Sequence, residues 1–93
     1  MPESKLIFMD GSVIDNGRAG YTQGSLWCYF SGYSMAEIAA IFLNPQKTGE
    51  ITFRYGGKED VYDGFVNCVS MMIDVDGLAH ICMQKAATEN GAE

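Results

Sequence analysis

His80 and Cys82 stand two residues apart in the segment LAHICMQK, and a histidine beside a cysteine is the pairing that thiol chemistry uses. In an extended strand, residues i and i+2 share a face, so the imidazole and the thiol would lie on one side. Catalysis also needs donors for a developing oxyanion, and no segment of the chain is built to supply them. A single histidine in an apolar strand reads instead as a packed residue or a pH-sensitive contact. The other cysteines are Cys28 and Cys68. Three is an odd number and none forms a C-x-x-C pair, which fits neither a disulfide framework nor a tetrahedral zinc site. The plain reading is buried free thiols in a reducing cytoplasm, with no metal, no cofactor and no catalytic residue. The chain is read as a non-enzyme.

Other chemistry-bearing spacings dissolve in the same way. The run DVDG at residues 74–77 resembles part of a calcium loop, but Met72 and Met83 stand where an EF-hand needs oxygen ligands. The glycines of NGRAGYTQG, residues 16–24, lack the strand-then-helix setting of a phosphate-binding turn, so this segment reads as a connecting loop. Trp27, Tyr29, Phe30 and Tyr33 crowd into seven residues. They are packing residues in one reading and the floor of a small-ligand or peptide pocket, formed by Trp27, Tyr29 and Tyr33, in the other.

The elements that must position these groups follow from size and pattern. Ninety-three residues, 47% of them hydrophobic and 19% charged, suit one globular domain with a thin core. Residues 1–85 are read as that domain and residues 86–93 as a frayed tail. Six basic against twelve acidic residues give a net charge of −6, with no basic run, which argues against contact with nucleic-acid backbones. The apolar run near the N-terminus is too short for a signal peptide or a membrane span.

KLIFMDGSVID reads as two strands joined by an Asp10-Gly11 turn, and SLWCYF as a third. SMAEIAAIFLNP follows as a helix, with Ser34 and Glu37 at capping-box spacing and Pro45 as its stop. EITFRYGG is a strand with Ile51, Phe53 and Tyr55 on one face. VYDGFVNCVSMMIDV is read as one long strand bent at Gly64, and an Asp76-Gly77 turn leads into LAHICMQK. The expected fold is α+β: an antiparallel β-meander of five or six strands, an open sheet or a partly closed barrel, with one helix inserted after the third strand.

Two surfaces carry too little polarity for a monomer of this size. On the helix, Met35, Ala39 and Phe42 mark the centre of an apolar arc roughly 200° wide, twice the stripe one sheet contact needs. Ile41 and the smooth pair Ala36/Ala40 lie outside that centre. In the last hairpin, a two-residue turn at Asp76-Gly77 pairs Met72 with Ile81 and Ser70 with Met83. That leaves Met72, Ile81 and Met83 on a second apolar face behind the core face. Ala36, Ala40, Ile41, Met72, Ile81 and Met83 are therefore the expected interface, with a second copy of the chain or another protein subunit as partner and neither nucleic acid nor membrane.

The succession LW, SMAEIAAIF, NPQKT, EITFRYG and DVYDGFVNCVSM resembles small proteins encoded near tail and structural genes in phages and prophages of Gram-positive bacteria. The likeness spans about residues 5–85 and rests on overall pattern. It implies a structural or particle-assembly component that is cytoplasmic or virion-associated, and it transfers no catalytic residue.

Overall fold

The computed structural model describes residues 3–86. Their order is β1 (Ser4–Phe8), β2 (Val13–Asp15), β3 (Arg18–Thr22), β4 (Ser25–Ser31), α1 (Met35–Phe42), α2 (Pro45–Thr48), β5 (Glu50–Tyr55), β6 (Lys58–Asp63), β7 (Asn67–Ile73) and β8 (Leu78–Gln84). The α+β class holds. The expected single meander of five or six strands is corrected to eight strands in two open antiparallel sheets, ordered β2-β1-β5-β6 and β3-β4-β8-β7. The helix follows the fourth strand rather than the third.

Two segments account for the difference. The expected loop at 16–24 contains β3, which pairs with β4 through a tight turn at Gln23-Gly24, with Thr22 opposite Ser25. Both turn residues take positive φ, 51° and 83°, as a two-residue hairpin turn requires. The expected long strand from Val61 to Val75 is two strands in different sheets. β6 folds back on β5 through Gly56-Gly57, again with positive φ at both residues. Gly64, at φ 80°, then carries the chain across to β7 in the second sheet. No strand continues through Gly64–Val66, because a backbone in that left-handed region leaves the extended ladder.

The Asp-Gly pairs do turn the chain, but by a longer geometry. Asp74 N–H donates to the Leu78 carbonyl at 2.9 Å, and Gly77 N–H donates to the Asp74 carbonyl at 3.0 Å. Phe8, Gly11 and Ser12 make the same two bonds, both at 2.8 Å. Each loop therefore has three residues, with only its glycine in the left-handed region. The extra residue shifts the last hairpin by one: Met72 faces His80, Met71 faces Ile81 and Ile73 faces Ala79. Since side chains alternate, that slip reverses which face of β8 joins the inward face of β7.

The core lies between the sheets. Leu6, Phe8, Ile14 and Ile51 come from the first sheet, and Leu26, Cys28, Phe30, Ala79, Ile81 and Met83 from the second. Helix α1 begins with the expected capping box: Glu37 N–H donates to Ser34 Oγ, and Ser34 N–H donates to Glu37 Oε1. Its buried side chains are Ile38 and Phe42, so the apolar stripe is centred one position away from Met35 and Ala39, and Met35 is exposed. The Phe42 ring stacks on Phe30 with centroids 5.6 Å apart and meets Phe8 edge-on at 5.5 Å. One helical side chain thereby joins both sheets, an arrangement worth roughly 0.5–1.5 kcal/mol per aromatic pair beyond burial.

Pro45 does end α1, but it also opens α2 as its first residue, with Asn44 as cap. Of the expected tail at 86–93, Ala86 N–H donates to the Gly64 carbonyl at 3.3 Å, and the rest lies outside the described residues. Among the described residues, no helix is long and apolar enough to cross a membrane.

Candidate functional site

The strand registers stack side chains into rows on the outer face of the β3-β4-β8-β7 sheet. Arg18 faces Tyr29, Tyr29 faces His80, and His80 faces Met72. The adjacent row runs Gly20, Trp27, Cys82 and Ser70. Alternation along β4 sends Leu26, Cys28 and Phe30 inward and leaves Trp27 and Tyr29 outside, both partly exposed. The indole and phenol rings stack with centroids 6.5 Å apart and planes 13° from parallel. His80 meets the Tyr29 ring edge-on at 5.3 Å.

Asp74 holds His80 in place. Its Oδ2 lies 2.9 Å from His80 Nε2, while its Oδ1 accepts backbone N–H bonds from Asp76 and Leu78. The bond from His80, then the bond from Leu78, draw the Asp74 carboxyl below the ordinary carboxylate range. An ionised Asp74 accepts, so Nε2 carries the proton, and a neutral His80 presents only a lone pair at Nδ1. Beside this group lies a depression of about 490 Å³ lined by Asn16, Arg18, Tyr29, Ser31, Leu78 and His80, with Phe30 at its edge.

The histidine and the thiols do not form a nucleophile–base pair. Among the described residues the hydrogen bond of His80 goes to Asp74, and none joins it to a cysteine. Cys28 is fully buried, and burial pushes its thiol up to about 12, far from the thiolate a nucleophile requires. Among the described residues no group of three or more His, Cys, Asp or Glu side chains is placed to hold a metal ion.

The sequence-derived candidates divide. Trp27 and Tyr29 share the outer face, while Tyr33 packs edge-on against Phe30 at 5.4 Å on the core side and is not brought to them. Ile81 and Met83 are fully buried in the chain's own core, so they cannot serve as surface. The one-residue register shift is the reason. Ile41 packs partly against the core as well, whereas Ala36, Ala40 and Met72 are exposed. Arg18 and Asp74 were not expected in a site. Arg18 falls in the expected loop and Asp74 near the end of the expected long strand, and only the alternation within RAGYT points to a strand at Arg18.

No protein family model matches the chain, and neither a curated protein nor a solved structure matches it.

Proposed function

We propose that this protein is a non-enzymatic assembly subunit that self-associates through the free edge and outer face of β7. The observation that carries the reading is the contrast between two edge strands. β6, at the edge of the first sheet, is KEDVYD, with four charged residues in six. β7, at the edge of the second, is NCVSMMI and carries no charged side chain. Natural edges are normally blunted by charge, proline or shortness, because a row of unpaired N–H and C=O groups templates another strand. β6 obeys that rule and three-residue β2 is short, whereas β7 has seven residues and only a bulge between Cys68 and Ser70.

Val69 and Met72 on this strand are 54% and 51% exposed, and the Trp27–Tyr29 stack continues the apolar surface inward across β8 and β4. A partner strand laid along β7 would satisfy the edge and cover both side chains. A strand that repeats on every copy suits a particle built from many copies. The resemblance to proteins encoded among phage tail genes supports the same role.

Sedimentation equilibrium tests the reading. The chain is expected to dimerise or assemble further at about 100 µM, an affinity modest for an edge contact. Met72→Lys and Val69→Lys are expected to yield monomers with unchanged circular dichroism, while Ala40→Glu on α1 leaves assembly intact. A strictly monomeric wild-type chain, or assembly indifferent to both β7 variants, would refute it.

A further inference from the structure

The depression beside His80 differs in charge from the rest of the molecule. In a chain with twelve acidic and six basic residues, its lining contains Arg18, His80, Tyr29, Ser31 and Asn16 and no carboxylate. Two other surface depressions mix the signs, with Glu3 and Asp15 beside Lys5 in one and Glu3 beside Lys5 and Arg54 in the other. Arg18 stands between the His80 depression and a smaller one of about 230 Å³ floored by Phe53 and Tyr55. Among the described residues its guanidinium makes no ion pair; those present are Lys47–Asp10, Arg54–Glu59 and His80–Asp74. Arg18 and His80 flank Tyr29 from the strands on either side, so their backbones lie about 10 Å apart with the phenol between them.

We propose that this depression binds a small carboxylate bearing a flat apolar group. The guanidinium supplies a planar pair of donors matched to a carboxylate. Tyr29 and Leu78 supply the apolar wall, and the Ser31 and Asn16 side chains add polar groups at the rim. The charge count matches a monoanion. Arg18 is the one permanent positive charge in the lining, and Asp74, bonded to His80, is not part of it.

His80 lines the site with its Nε2 held by the Asp74 carboxylate and its ring edge-on to Tyr29.

This inference is independent of the assembly reading, since the depression is lined from β3, β4 and β8 and by no residue of β7, the strand whose edge carries the proposed contact. Titration of the ¹⁵N-labelled chain with benzoate, followed by amide shifts, tests it, with benzamide and inorganic phosphate as comparison probes. Benzoate is expected to shift amides around residues 18, 29 and 80. Arg18→Gln is expected to weaken binding about tenfold or more, the worth of a lost charge-assisted pair. Arg18→Lys restores part of it. Val69→Lys, at the bulge and away from His80, leaves benzoate binding unchanged whatever it does to assembly. Benzoate failing to bind, benzamide or phosphate binding as tightly, or Arg18→Gln binding normally would each overturn the proposal.

Discussion

Oδ2 of Asp74 lies 2.9 Å from Nε2 of His80, tying the turn that opens β8 to the second residue after the strand begins. The same carboxylate accepts the N–H groups of Asp76 and Leu78. Its pKa is depressed in the folded chain, so the stabilisation is present above the ordinary carboxylate value, about 4, and is lost as the pH falls through the folded value. Asp74→Asn is expected to lower the thermal midpoint by a few degrees at neutral pH and to leave it less changed in acid. Thermal melts across a pH series check this, and an equal loss at every pH would count against the ionised carboxylate.

The register of the β7–β8 hairpin makes a sharp contrast between neighbours. Ile81 is fully buried, so Ile81→Ala is expected to cost about 2–5 kcal/mol. Met72, on the outer face, is expected to tolerate alanine within about 0.5 kcal/mol in the dissociated chain. Urea unfolding of both variants decides it. Under a two-residue Asp76-Gly77 turn, Ile81 and Met72 would share one face and respond alike.

Gly17 is held by packing rather than by a turn. A Cβ placed there would come within 2.8 Å of Leu6 Cγ and 2.9 Å of its Cδ1. Leu6 is fully buried against Ile14 and cannot swing aside. Gly17→Ala is expected to destabilise the fold by about 1–3 kcal/mol, the usual cost of overpacking. Denaturant midpoints measure it, and Gly20→Ala, where the added methyl meets open space, is the control.

Thiol reactivity should separate the three cysteines. Cys68 is partly exposed, whereas Cys28 and Cys82 are buried. Burial raises both the Cys28 and the Cys68 thiols, Cys28 to about 12. Native-state alkylation followed by mass spectrometry is expected to modify Cys68 first and slowly, and Cys28 only at the rate of global unfolding. Early modification of Cys28 would mean that the β4 core opens locally.

Much of the local structure was legible in the residues. The Ser34–Glu37 box, the alternation of EITFRY and the strand character of SLWCYF all reflect forces acting within a few positions, and each element forms where its pattern begins. The site was legible only in part. Trp27 and Tyr29 stood out by type, and alternation alone put them on one face. Their neighbours Arg18 and His80 come from the flanking strands, 11 and 51 residues from Tyr29 along the chain, and no local signal encodes the pairing with His80.

What the sequence by itself determined was the α+β class, the capped helix, the two Asp-Gly turns and the alternation of EITFRY and SLWCYF, because propensity, capping and alternation act locally. Only the tertiary structure decided how those pieces pair. One residue in the loop before Leu78 settles whether Ile81 and Met83 line a core or a surface, since a period-two element reverses its face with a single step. Gly64 likewise looked like a bend, and the competition between two sheets for hydrogen-bond partners made it the crossing point between them.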